Sequence, residues 1–488
     1  MHPACEGLSP QEWFEHFGNL LTIPRQSGNE DKVREFCRQT AFIHDCRTVV
    51  DGAGNLVIYK PAVKGYERAP IVTVQGHLDI ISDTNGIVRA LRDGDFIKTD
   101  ETTTLGADNG VAIATGLWLL AQNHFPHGPL EILFTADEEG GLNGVSGLDH
   151  SLINGKYLLN LDSEKYGHLC VGCAGGHTLR LKLPVQPDIQ GLEGSLEYDQ
   201  AVRISVSKLT GGHSGLEIHH GRANAIKLLS GFLEYVGQEI QYRLVQFKGG
   251  SKHNQIPTES SVDLLIHGSR LSHVQTLAAE YFDSCIATYN GTDPEMKMRV
   301  EPIETDESPI SEQSFRQVID LVNHLPHGVV VASTEPGVTV DTSSNLALIE
   351  RDLKPERTGD SVTFTVSQRS MRDEGLAEIY ELMKRLSSQY GTQLEHGSAY
   401  PAWIPDRGSH VLRVMQQAYN QLHGADPVVF SIHAGLETAH LKRRRPEIDM
   451  ISYGPTLAGV HTPNERLDVR TVEPFLRLTT ETLARLVA

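Results

Sequence analysis

Two histidines and a series of carboxylates stand just past the ends of apolar, strand-like stretches of this 488-residue chain. After "IVTVQG" come His77, Leu78 and Asp79, and after "TTTLGA" comes Asp108. The run "LEILFTA" ends in Asp137, Glu138 and Glu139, "YLLNL" ends in Asp162, and His461 follows "DMISYGPTLAGV". In an open α/β sheet, ligands bind beyond the carboxyl ends of the strands, so these side chains are predicted to converge on one sheet edge. Each is unremarkable alone: a strand-end His is most often structural, and an Asp before a helix, as at 108, is an ordinary N-cap. Converged without cations, they would repel one another strongly. Two divalent cations balance the charge, and imidazole mixed with carboxylate suits zinc, with manganese or cobalt as substitutes.

The spacings divide the labour further. In a strand, H-x-D puts both side chains on one face, so Asp79 can stand behind His77 and fix its tautomer. Of the adjacent Glu138 and Glu139, one can coordinate metal while the other takes a proton from metal-activated water, whose pKa falls toward ~7.

The elements that must position these residues alternate strand and helix. Strands are predicted at 69–80, 128–136 and 156–164, with a helix at 109–123. Such buried strands separated by helices indicate an α/β layer with a largely parallel sheet. The same grammar returns after about residue 400. Between about 177 and 400 the strands alternate polar and apolar residues, as in "YDQAVRISVSKL", with helices between them. That pattern predicts an α+β domain inserted into the α/β one. The expected division is 1–184 and 401–488 for the α/β part and 185–400 for the insertion.

Composition sets the outer bounds. The net charge of −19 argues against nucleic acid and anionic membrane surfaces as partners. The apolar run at 111–121 is too short for a membrane span, which needs ~20 residues, and the N-terminus lacks the pattern of a secretory signal. Six scattered cysteines fit a reducing compartment, so a cytoplasmic location is expected. Cys170 and Cys173 form a lone C-x-x-C, which without a second pair reads as incidental.

In order along the chain, "GHLDI", "GADNGVAIA", "TADEEGG", "NLDSE" and "HTPNERL" resemble the motifs of the co-catalytic zinc exopeptidases, which include carboxypeptidase G, aminoacylase, tripeptidase and carnosinase. "LTIPRQSGNE", "VGCAGG", "GGHSGLEIHHGRANAIKLL" and "SIHAGLE" look like the aminoacyl-histidine dipeptidase branch. The resemblance implies a mostly parallel sheet flanked by helices, with an inserted lid and dimerisation domain. It implies a homodimeric dipeptidase of Xaa-His substrates such as β-alanyl-histidine, holding two zinc ions. Asp108 would bridge the ions, His77 and Asp162 completing one shell, Glu139 and His461 the other. Glu138 would be the general base and Asp79 would orient His77, leaving Asp137 without a ligand role.

The middle domain supplies the remaining candidates. His213, in the Gly-rich "TGGHSG", would stabilise the oxyanion, from its own or the partner subunit. Asn254 would contact substrate. Arg369, at a strand end, suits a bidentate grip on a free α-carboxylate, and Gly435 would let the backbone approach the substrate. Two enzymes on the same scaffold compete with this reading, an N-acyl amino acid deacylase and an aminotripeptidase. A non-catalytic binding homologue is a third, opposed by the full set of competent ligands.

Overall fold

Val72–His77, Leu130–Thr135 and Tyr157–Asn160 are buried along their whole length, the signature of strands covered on both faces. The structure, a computed structural model, describes residues 2–82, 87–188, 198–335, 337–352 and 360–487. The chain divides into two compact units. The first comprises Met1–Cys173, Trp403–Ser431 and Leu436–Ala488, and the second Ala174–Ala402 and Ile432–Gly435.

The first unit is built on an eight-stranded sheet in the order Arg47–Val50, Leu56–Lys60, Leu130–Thr135, Val72–His77, Tyr157–Asn160, Asp449–Ser452, His168–Cys173 and Val428–Ile432. The sheet is parallel at its centre, where Val72–His77 pairs with both neighbours and Asp449–Ser452 continues the run. Towards the edges the pairing turns antiparallel. The mostly parallel sheet read from the sequence is thus parallel in the strands that end at the candidate site.

The helix Ala107–Ala121 is apolar around nearly its whole circumference and is buried accordingly. It lies close over the sheet because residue 76 is glycine: a Cβ there would sit 2.3 Å from the Cβ of Ala112. On its other side, Trp13 from the helix Gln11–Leu20 donates to Thr115 Oγ1 at 2.9 Å. Trp13, Phe17, Val111, Leu117, Ile132, Phe134, Leu159 and Phe475 share one apolar core. A small antiparallel sheet, Leu457–Ala458, Arg466–Asp468, Phe96–Thr99 and Ala90–Asp93, frames the loop that carries His461.

Among the described residues the second unit has nine strands, every pair antiparallel. Its strands alternate as the sequence does. In Gln200–Ser207, Val202, Ile204 and Val206 face the core while Arg203 faces outward and pairs with Asp263 at 2.7 Å. The helices Ala225–Val236, Leu271–Tyr289, Glu312–His324 and Asp373–Tyr390 bring Leu228, Phe232, Val274, Val318 and Met383 into that core. Asn224 caps the first of these, its side chain accepting from Ile226 N at 2.9 Å. The strand Gly175–Pro184 pairs residue for residue with Ser361–Ser370, so it belongs to this sheet.

Candidate metal centre

Asp108 lies between two imidazoles. Its Oδ1 is 3.1 Å from His77 Nε2 and its Oδ2 is 3.0 Å from His461 Nε2. Asp162 Oδ1 approaches the same His77 nitrogen at 3.6 Å, and Glu139 Oε1 approaches the same His461 nitrogen at 3.0 Å. Two three-residue groups result, His77–Asp108–Asp162 and Asp108–Glu139–His461, each with its donor atoms within 4.8 Å of one another. Glu138 belongs to a third group with His77 and Glu139.

Each donor owes its place to a strand end or a braced loop. His77 ends its strand, and Asp79 sits behind it, its carbonyl oxygen 3.1 Å and its Oδ1 3.4 Å from His77 Nδ1. Asp79 also accepts the backbone N–H of Glu138 through Oδ1 and that of Glu139 through Oδ2, and takes the Ser27 hydroxyl at 2.7 Å. Asn109 donates to Asp162 Oδ1 at 2.8 Å and to the Leu161 carbonyl at 3.0 Å. Glu465 accepts the N–H groups of Leu105 and Gly106 through Oε2 and that of Asp108 through Oε1. The buried Arg25 joins the strand end to this loop, donating to the carbonyls of Leu78, Asp79 and Gly106. Asp137 holds the turn itself: its carboxylate accepts from Asn143 Nδ2 at 2.7 Å, and its N–H donates to Glu30.

The electrostatics describe a cluster with more negative than positive charge. Burial opposes protonation of His77, but its hydrogen bonds to Asp108, Asp162 and Asp79 hold its pKa well above the ordinary value. His461 is likewise pushed up to about 11, against the cost of burial, by Asp108 and Glu139. Burial, then the charge of Asp108, raises Asp162 to about 7. Burial holds Glu138 well above the carboxylate range; His77 opposes that rise, and Asp162, Glu139 and Glu437 add to it. Glu437 is fully buried and rises to about 7, first through burial. Its Oε2 accepts from Gln75 and Thr135, while its Oε1 has no hydrogen-bond partner among the described residues. Two imidazoles and this many carboxylates form a donor set that divalent cations fit.

The predicted ligands and both catalytic candidates therefore meet in one place. The same motifs contain Arg25, Asn109, Glu437 and Glu465, whose supporting contacts emerge only in the fold. They stand within "IPRQSGNE", "GADNG", "HAGLE" and "HTPNERL", and the signal was the presence of further polar residues inside those stretches. Cys170 and Cys173 are buried thiols, and Cys170 donates to the carbonyl of Gly172.

The four remaining candidates lie in the second unit. His213 Nδ1 accepts the N–H groups of Gly215 and Leu216 at 3.2 and 3.1 Å. In the neutral ring the proton is therefore on Nε2, which makes that nitrogen a donor. Asn254 braces the same turn through its carbonyl, which takes the N–H of Ser214 at 2.8 Å. Arg369 is buried and donates through Nη1 to the Tyr400 hydroxyl, while its Nε has no hydrogen-bond partner among the described residues. A Cβ on Gly215 would be 3.1 Å from both Arg369 Nε and His213 Cε1, so these two candidates flank one glycine. Gly435 packs against Tyr400, whose ring occupies the space a side chain would need.

The central parallel strands lead to His77, Glu139 and Asp162, the loops carrying Asp108 and His461 meet them there, and such a donor set fits a metal-dependent hydrolase. Residues 102–487 match peptidase family M20/M25/M40, and the chain belongs to that metal-dependent family of enzymes that hydrolyse peptide bonds. It is 32% identical over 490 residues to the cytosol non-specific dipeptidase of Escherichia coli (strain K12), covering 99% of each chain. Among solved structures it resembles the aminoacylhistidine dipeptidase of Vibrio alginolyticus, with a TM-score of 0.82 and 31% identity over 98% of this chain and 97% of that one. A tripeptidase from Staphylococcus aureus shares the fold, with a TM-score of 0.61 and 14% identity over 98% of this chain and 99% of that one. Among the described residues no helix is long and apolar enough to cross a membrane.

Proposed function

We propose that this chain is a cytoplasmic, homodimeric dipeptidase that takes short peptides with a free C-terminal carboxylate, including Xaa-His dipeptides such as β-alanyl-histidine. The observation that carries the reading is the Asp108 carboxylate, whose two oxygens face His77 and His461 at 3.1 and 3.0 Å. That geometry suits one carboxylate held in common by two cations. His77 and Asp162 would hold one ion, and Glu139 and His461 the other. Zinc fits the donors best, with manganese or cobalt able to replace it. When bound, the ions would lower the pKa of water and polarise the scissile carbonyl.

The chain's own groups carry the rest. Glu138 takes a proton from the attacking water and delivers it to the nitrogen of the departing amine. Asp79 fixes both the tautomer of His77 and the backbone of the loop carrying Glu138. His213 donates from Nε2 to the oxyanion. Arg369 reads the terminal carboxylate, and Asn254 and Gly435 belong to the surroundings of the bound peptide. A carboxylate reader explains a preference for very short peptides, because a longer chain places its terminus beyond the guanidinium.

Two measurements test the reading together. Purified protein should hold about two equivalents of zinc or a similar ion per chain, and chelation should abolish hydrolysis of β-alanyl-histidine and other Xaa-His dipeptides. Faster turnover of N-acetyl amino acids or tripeptides would move the chain to another branch of the scaffold. Full activity in folded, metal-free protein would overturn the site.

A further inference from the structure

Arg369 and Tyr400 stand on different strands, yet both lie directly across from Gly176. In the antiparallel register Gly176 pairs with Arg369 on one side and with Tyr400 on the other. Residues directly opposite one another in such a sheet project to the same face. The glycine between them leaves that face empty, and the guanidinium and the phenol meet across it, Arg369 Nη1 donating to the Tyr400 hydroxyl. A Cβ on Gly176 would come 2.5 Å from that hydroxyl. A second glycine supports the ring from another direction: a Cβ on Gly435 would come 2.7 Å from Tyr400 Cε2. The phenol is thus seated against two positions where a Cβ would displace it.

We infer that Tyr400 is the positioning residue for Arg369 and that Gly176 and Gly435 are glycines because they seat its ring. This rests on the reading of Arg369 as the receptor for the substrate carboxylate. Tyr400 fixes one arm of the guanidinium, leaving Nε, buried and without a hydrogen-bond partner among the described residues, as a donor for a ligand. An arginine held in this way loses little side-chain freedom when the carboxylate arrives. Gly435 then acts through the ring of Tyr400.

The test compares a dipeptide with a free C-terminal carboxylate, β-alanyl-histidine, with its C-terminal carboxamide. The wild-type enzyme should prefer the acid strongly. Tyr400→Phe keeps the ring and its packing, and an unchanged melting temperature verifies the fold. It should raise KM for the acid about tenfold, with kcat altered less than about twofold, and shrink the acid-to-amide preference. Gly435→Ala should produce the same KM effect, and should add nothing further in a Tyr400→Ala background, where no ring remains to be displaced. Wild-type preference retained in Tyr400→Phe overturns the role of Tyr400 and leaves the carboxylate reading standing. A further loss from Gly435→Ala without the ring overturns the seating of Tyr400 by Gly435. Equal use of acid and amide by the wild type overturns the carboxylate reading itself and the inference with it.

Discussion

Asp79 accepts the backbone N–H of Glu138 through Oδ1 at 3.0 Å, and its other oxygen takes the N–H of Glu139 at the same distance. One carboxylate thus touches the His77 ring and the loop that carries both functional glutamates. Burial opposes its ionisation, but His77, then the N–H of Glu138 and the Ser27 hydroxyl, win and hold its pKa down to about 2. In Asp79→Asn only one side-chain oxygen remains to accept, and the new NH2 must face an N–H. The expected outcome is a ~10- to 100-fold loss in metal affinity or turnover. Metal titration followed by steady-state kinetics checks it, and wild-type values in both would remove Asp79 from the machinery.

Glu138 and Glu139 are neighbours in sequence, and the proposed roles separate them by experiment. Glu138→Gln removes the proton acceptor and keeps the shape, so the protein should bind its metal normally while kcat falls ~10²- to 10⁴-fold. Glu139→Ala removes a donor that lies 3.0 Å from His461, and should reduce metal occupancy itself. Metal analysis of the two variants side by side distinguishes the roles. Retained turnover in Glu138→Gln would exclude it as the base.

The sequence disclosed much of the cluster because strand-end chemistry is local: His77, Glu139 and Asp162 follow apolar strands, whereas Asp108 and His461 stand on loops that reach the same edge. The mixed α/β character was legible for a similar reason, since period-2 strands and continuously buried strands read differently. Glu465 and Arg25 were not legible as supports, because their work is done on backbone groups of Leu105, Gly106, Leu78 and Asp79, far away in sequence. Tyr400 was hidden for the same cause. Its importance lies in a register across three strands, which no periodicity within one strand reports.

His433 gives the protein an acid-side weakness. Burial, then the nearby Arg369 cation, lowers its pKa to about 3, and its Nε2 lies 2.8 Å from Ser343 Oγ. Above pH ~6.5 the ring is neutral in both folded and unfolded chains and contributes no pH dependence. Between ~6.5 and about 3 the unfolded chain binds a proton that the folded one refuses, so stability falls as pH falls. His433→Gln should flatten that part of the profile. Denaturant melts at pH 7 and pH 5 measure it, and an equal pH slope in the variant would show that other groups set the acid limit.

Glu465 is a buried carboxylate that binds three backbone N–H groups and lies four residues beyond His461. Its Oε2 takes those of Leu105 and Gly106 at 2.8 Å each, and its Oε1 takes that of Asp108 at 3.0 Å. Arg25 donates to the carbonyl of Gly106, so the loop before Asp108 is held through both its N–H and C=O groups. Burial is the main reason the Glu465 carboxyl is pushed up to about 7, although the three N–H groups favour its charged form. Glu465→Gln nearly preserves volume but turns one acceptor into a donor, leaving at least one N–H facing an NH2. Each such mismatch costs roughly 1–3 kcal/mol, here spent where the shared aspartate is anchored. The variant should therefore melt earlier and bind metal more weakly, with added metal restoring part of the lost melting temperature. If the melting temperature fell while metal affinity stayed at the wild-type value, Glu465 would be bracing the loop without setting the position of Asp108.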